Sequence, residues 1–287
     1  MKRLFFVLLC LVSVYASEQE DIFNKIEKEL DSIIVKDLNT NELIYKKNEL
    51  KHIRPASLTK IMTSMLAIES GKMNEVVTIT KPMTNVIPTK LGLQVGEKLY
   101  LRDLVSVALV KSANDAAYAI GYFLGDGDLS RFLVMMNKKA KLIGMLDTTF
   151  TNPAGFDTQS HHSTAHDLLL LTEYAIQNET FNKIVDKNSY AFTTLNTKRS
   201  FKVYTSNKLK KDDKYVVGVK TGYTNGAGPC LIARAKKDDK DVLLVMLNAT
   251  KNRWENARKA LDEVMLIPPQ RVALADEHKM GKRVGTK

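Results

Sequence analysis

The apolar residues of this chain change their spacing twice, and that pattern restricts the possible folds more than any other feature. Two short apolar runs, residues 32–35 and 43–45, flank Asp37-Leu38-Asn39-Thr40-Asn41. Turn residues between two such runs predict a β-hairpin. The spacing then becomes helical over 57–70, which Gly71 closes, over 101–143 with breaks at 111–112 and 125–127, and over 168–176. β-rich runs return at 215–219, 230–235 and 242–248, and an amphipathic stretch follows at 254–266. Residues 18–31 carry charge at helical spacing and predict an entry helix. Strands at both ends with helices between them predict an α+β body built from the two ends, with a mostly helical insertion.

At 287 residues, 44% hydrophobic and 26% charged, the chain has the composition of a globular protein with a sizeable core. Its first sixteen residues stand apart. Lys2 and Arg3 precede an apolar run over 4–14, and Val14-Tyr15-Ala16 offers small residues for cleavage. The run is shorter than the roughly 20 residues a membrane span needs, so 1–16 reads as a signal peptide, with Ser17 as the mature N-terminus. Cys10 lies within the leader, leaving Cys230 alone in the mature chain and no intramolecular disulfide. Cys230 sits in the apolar run Pro229-Cys230-Leu231-Ile232-Ala233 and reads as core filling.

The net charge is +11, but the lysine clusters at 208–214 and 236–240 are laced with aspartates and read as solvated turns. No nucleic-acid motif appears, and export argues against a nucleic-acid partner. An anionic wall polymer or membrane surface suits the charge better. Residues 268–287 form a polar, basic tail without the apolar face of an interfacial helix.

Three short motifs carry the chemistry: Ser57-Leu58-Thr59-Lys60, Ser112-Ala113-Asn114 and Lys220-Thr221-Gly222. A serine hydroxyl is a weak nucleophile and needs a base beside it. Positions i and i+3 share a helix face, which sets Lys60 next to Ser57. The lysine is a base only when neutral, and burial or a second cation such as Lys220 acts that way. Taken alone, Ser57 would be a helix cap, Lys60 a solvated side chain, and Ser112 and Asn114 caps between helices. In combination they describe a serine acyl-transfer site. Ser112 would relay a proton and Asn114 would hold the lysine or a substrate amide. Lys220 and Thr221 would grip an anionic terminus beside a strand edge, where Gly222 permits close approach. Backbone N–H groups of Ser57 and Tyr223 would stabilise an oxyanion, an effect of about 3–4 kcal/mol per donor in a known protease.

With these motifs the chain resembles the serine-type D-alanyl-D-alanine carboxypeptidases, the low-molecular-mass penicillin-binding proteins, over residues 30–267. Further likeness lies in Arg54-Pro55-Ala56 ahead of Ser57, in Phe150-Thr151-Asn152-Pro153-Ala154-Gly155, in His162-Ser163-Thr164-Ala165-His166-Asp167-Leu168, and in Tyr223-Thr224 leading to Ala227-Gly228. The resemblance implies an antiparallel sheet flanked by helices, with an all-helical subdomain at roughly 75–180 inserted in a catalytic domain spanning 17–267. It implies hydrolysis of the terminal D-Ala-D-Ala bond of peptidoglycan stem peptides, with Ser57 acylated, Lys60 as base, and Ser112 and Asn114 assisting. Lys220 and Thr221 would bind the terminal carboxylate, and Arg253 falls where relatives place an arginine serving it. β-Lactams would acylate the same serine, and no cofactor is implied.

Many members of that family continue into a second β-rich domain and an amphipathic membrane helix. The polar tail here leads instead to the expectation of at most peripheral membrane contact, and of a periplasmic or extracellular, wall-associated protein. Tyr223 stands where some relatives carry histidine. A class A β-lactamase needs a glutamate after the Ser-x-Asn motif, but residues 147–160 contain none, and Glu173 lies later in a helical run. A long-lived penicilloyl-enzyme is therefore expected. The same fold would also serve a D,D-endopeptidase acting on cross-links or a catalytically silent wall-binding protein. His162 and His166 have a spacing a zinc site could use, with His161 adjacent, but no His-Glu-x-x-His arrangement accompanies them, so no metal is expected.

Overall fold

The structure is a computed structural model that describes residues 22–266 apart from 213 and 251. The expected signal peptide and basic tail lie outside the described residues. β1 (Leu30–Asp37) and β2 (Glu42–Lys47) form the expected hairpin. The other end of the chain supplies β7 (Val216–Thr224), β8 (Gly228–Lys237) and β9 (Lys240–Ala249), and one antiparallel sheet results, in the order β2-β1-β9-β8-β7. Pairing of Ile33 with Met246 joins the two ends of the chain.

The central strands are apolar on both faces because helices cover both faces. Leu243, Val245 and Leu247 of β9, with Cys230 and Ile232 of β8, enter the larger core beneath the helical insertion. The alternate residues Val242, Leu244, Met246, Leu231 and Ala233 enter a second core with Phe23, Ile26 and the inner face of the C-terminal helix. The period of two along each strand sorts the residues between these layers.

Between β2 and β7 run α1 (Lys60–Glu69), α2 (Leu101–Val110), α3 (Asn114–Leu124), α4 (Leu129–Leu142), α5 (Ala165–Ala175) and α6 (Glu179–Val185), and α7 (Arg253–Leu266) follows the sheet. Lys60 through Ala67 are all buried, so α1 runs through the middle of the larger core. A helix buried on every side cannot leave a first-turn side chain in water. Lys60 is therefore inside.

Three features depart from the pattern read off the sequence. The expected entry helix ends early: residues 22–26 are helical, Glu27–Glu29 form a 3-10 turn, and β1 starts at Leu30 because its backbone pairs with β9. The insertion also contains a ribbon of β3 (Val76–Thr78) and β4 (Lys98–Tyr100), too short to show a period. A further hairpin, β5 (Ser189–Thr193) with β6 (Ser200–Tyr204), follows the insertion.

Candidate active site

Ser57 sits in a one-turn 3-10 helix, Ala56–Thr59, that runs directly into α1. The preceding residue, Ala56, has a φ of +49°, a left-handed conformation that is costly for a residue with a Cβ and marks an over-determined segment. Three residues on, Lys60 Nζ lies 2.8 Å from Ser57 Oγ, 2.8 Å from Asn114 Oδ1 and 2.7 Å from the Ala154 carbonyl oxygen. The last two groups can only accept. Burial first, and the charge of Lys220 second, drive the Lys60 pKa well below its usual value, against a smaller opposing pull from Asp115. A neutral amine has two N–H groups and one lone pair. The N–H groups go to Asn114 and Ala154, and the lone pair is left to accept the Ser57 hydroxyl proton. That is the geometry of a general base beside its nucleophile.

Ser112 follows the end of α2 with a φ of +69°, and Asn114 opens α3. Lys220 Nζ donates to Ser112 Oγ and to the Thr221 carbonyl, both at 2.8 Å. Lys220 is 1% exposed, and burial, then Arg253, lowers its pKa to about 7. At about 1.4 kcal/mol per pKa unit, holding it charged there costs about 5 kcal/mol relative to water, which an incoming anion would offset.

Lys220-Thr221-Gly222 does not close its strand as the spacing suggested. It lies inside β7, whose pairing with β8 continues to Thr224 opposite Gly228. The apolar signal stops at Val219 because the next residues turn polar, while the backbone ladder carries on. β7 is the last strand of the sheet, and a Cβ at Gly222 would lie 3.2 Å from Ala56 Cβ. The edge strand therefore passes hard against the turn that carries Ser57.

These groups surround one cleft of about 550 Å³, with Ser57, Ser112, Asn114, Thr221, Gly222 and Tyr223 in its lining. Lys60 and Lys220 lie beneath it. Tyr223 is 63% exposed and stands at the rim. Arg253 also lines the cleft, but its Nη1 already donates to the Gly222 and Cys230 carbonyls, and the guanidinium stacks on Trp254 at 4.3 Å. Cys230 lies behind β7, fully buried, with its thiol pKa pushed up by burial to about 11.

Some participants carry no motif. The carbonyl of Ala154 reaches Lys60 because Asn152 Oδ1 accepts from the N–H groups of Ala154, Gly155 and Phe156 and curls that segment inward. An Asn-Pro followed by glycine is a turn signal, but it does not say where the turn points. Ser206 Oγ lies 2.6 Å from Thr221 Oγ1, joining the second residue after β6 to the threonine that lines the cleft.

The three histidines separate. His161 is buried, its pKa lowered to about 4 chiefly by burial. Its Nδ1 accepts from Thr151 N, so the neutral ring donates from Nε2 to Thr59 Oγ1 at 2.9 Å. His162 stacks on His52, and His166 Nδ1 lies 3.5 Å from Asp167. Glu173 pairs with Lys36 at 2.5 Å and is not in the cleft lining.

Comparison with known proteins agrees with the geometry. The sequence matches the D-alanyl-D-alanine carboxypeptidase family over residues 17–251. This chain belongs to that family. The D-alanyl-D-alanine carboxypeptidase DacF of Bacillus subtilis is 31% identical over 91% of this chain and 70% of its own length. A D-alanyl-D-alanine endopeptidase of Escherichia coli is 30% identical over 76% of this chain and 71% of its own. Among solved structures, penicillin-binding protein D2 of Listeria monocytogenes in its ampicillin-bound form superposes with a TM-score of 0.71 at 28% identity, covering 82% of this chain and 97% of that one. The carboxypeptidase fold seen in such structures is the one described above, a sheet of antiparallel strands carrying a mostly helical insertion.

Proposed function

We propose that this carboxypeptidase-family protein removes the terminal D-alanine from peptidoglycan stem peptides through an acyl-enzyme on Ser57. The observation that carries the reading is the buried Lys60 amine between Ser57 Oγ and two obligate acceptors, with Lys220 nearby. The peptide enters along β7, and its terminal carboxylate meets Lys220 and Thr221, with Arg253 adding positive potential from behind. Lys60 takes the Ser57 proton as Oγ attacks the carbonyl carbon of the penultimate D-alanine. Backbone N–H groups of Ser57 and Tyr223 hold the oxyanion. The C–N bond then breaks, and the departing amine takes a proton passed from Lys60 by way of Ser112. Water, deprotonated by Lys60, attacks the ester and frees Ser57. Asn114 keeps the amine aimed throughout.

A β-lactam would acylate Ser57 in the same way, but its leaving group stays tethered in the opened ring. Among the described residues Asp157 is the only carboxylate in the cleft lining, and its oxygens accept from Thr224 Oγ1 and Gly226 N. Among the described residues the cleft lining holds no glutamate to activate a water, which supports a long-lived penicilloyl-enzyme. Export through a leader at 1–16, a catalytic domain over 17–267 with the insertion near 75–180, and peripheral wall association complete the proposal. Among the described residues no helix is long and apolar enough to cross a membrane.

Fluorescent penicillin should label the protein covalently, Ser57→Ala should abolish the label, and a pentapeptide substrate should release free D-alanine. Labelling that survives Ser57→Ala would remove the nucleophile from this account. The endopeptidase among the relatives makes a cross-linked dimer the informative second substrate. Its cleavage in preference to the pentapeptide would reassign the specificity.

A further inference from the structure

Between β3 and β4 the chain passes through an irregular stretch, residues 85–97. Its Ile87, Pro88 and Thr89 form one wall of the cleft, and Ile87 is 63% exposed. No regular ladder holds this stretch, so its backbone groups find scattered partners, several of them side chains. Asp115, on α3 and 1% exposed, accepts from the backbone N–H groups of Leu91 at 2.9 Å, Gly92 at 2.8 Å and Leu93 at 3.1 Å. It makes no ion pair among the described residues. A buried carboxylate with four lone-pair sites suits three converging N–H groups, whereas an amide would turn its own NH₂ against them.

The neighbouring residue completes the attachment. Asn114 N donates to Thr89 O at 2.8 Å, and Asn114 Nδ2 donates to Ile87 O at 3.0 Å. The same amide offers Oδ1 to Lys60. The side chain that aims the amine is thus itself aimed by the cleft wall. At the far end of the stretch, Arg199 Nη2 donates to Gly92 O at 2.7 Å, and Arg199 Nε lies 3.2 Å from buried Glu97.

We propose that Asp115 is a positioning residue. Its carboxylate fixes residues 87–93 as the cleft wall that receives the substrate and, through Ile87 O, sets the Asn114 amide that holds Lys60. This rests on the reading of Ser57 and Lys60 as nucleophile and base. Arg199 is a second, remote tether of the same wall.

The test measures the second-order rate of acylation by fluorescent penicillin, with melting curves, for the unmodified protein, Asp115→Asn and Arg199→Gln. Asp115→Asn should acylate at least tenfold more slowly while still melting cooperatively. Arg199→Gln touches neither Asn114 nor Lys60, and it should still slow acylation severalfold. A charge-only role would read differently. Lys60 faces Lys220 from β7, Asp115 from α3 and His161 from the 150–163 segment, so losing the Asp115 charge lowers the Lys60 pKa and moves the acid limb of the acylation profile to lower pH. If Asp115→Asn is slow with a shifted limb while Arg199→Gln matches the parent, charge is the cause and the proposal falls. It also falls if both variants stay within twofold of the parent. Should Asp115→Asn not fold, Arg199→Gln decides alone, and a parental rate overturns the proposal. An unmodified protein that takes no label would remove the underlying reading and this inference with it.

Discussion

Gly155→Ala tests whether the Ser57–Lys60 alignment depends on the segment packed against it. Gly155 has a φ of +90°, and a Cβ there would fall 1.8 Å from the Ala56 carbonyl oxygen. Real Cβ contacts do not close below 3.0 Å, so backbone must move by about 1.2 Å. The group pushed is the Ala56–Ser57 peptide, whose nitrogen is three bonds from the nucleophilic Oγ. A misplacement of about 1 Å can cost on the order of 100-fold in rate, so acylation by fluorescent penicillin should slow roughly 100-fold. Left-handed backbone at an alanine adds roughly 1–2 kcal/mol of destabilisation. Gly127→Ala separates the two effects: its φ is +85°, but nothing lies within 4 Å of the added Cβ. It should lose similar stability and keep its acylation rate within twofold, as stopped-flow labelling and urea melts would show. Parental acylation in Gly155→Ala, or an equal loss in Gly127→Ala, would refute the argument that the clash acts through Ser57.

The Lys220 pKa of about 7 gives kcat/KM for a peptide substrate an alkaline limb near that pH, since the carboxylate-binding charge is present below it and lost above. Lys60, whose pKa is lowered by burial and by the Lys220 charge, must be neutral to act and so sets the acid limb, and Lys220→Arg should abolish only the alkaline one. A profile flat from pH 6 to 9 would count against the Lys220 assignment. Asn114→Asp places a negative charge 2.8 Å from Lys60 Nζ, which stabilises the ammonium; acylation should fall at least tenfold at pH 7 and its acid limb should move to higher pH. A limb moving the other way would contradict the sign of the argument. Cys230 is fully buried with a raised pKa, so a thiol reagent such as dithionitrobenzoate should react only after denaturant is added, and rapid reaction of the native protein would show that the sheet opens there.

Much of this protein is legible in its amino-acid order. The spacing of apolar residues places the β1–β2 hairpin, α1 to α5 and the three C-terminal strands, because burying one face imposes a period of two or of 3.6 on the residues themselves. The three motifs single out Ser57, Lys60, Ser112, Asn114 and Lys220 through their joint occurrence and family resemblance, and chemistry explains the set, since an activated serine needs a base and a cation near it. The β5–β6 hairpin has a legible signal too: Tyr190 and Phe192 alternate with the smaller Ser189, Ala191 and Thr193, and Phe201 and Val203 alternate with Ser200 and Lys202. Folding decides the rest, because it concerns direction and surroundings. That Lys60 is buried follows from helices and sheet closing around α1. That Ala154 offers its carbonyl, that β7 runs on through Gly222, and that Asp115 gathers three N–H groups from a stretch more than twenty residues away depend on which segments meet. Local spacing reports the face a residue buries, and only the packed chain says what that face is pressed against.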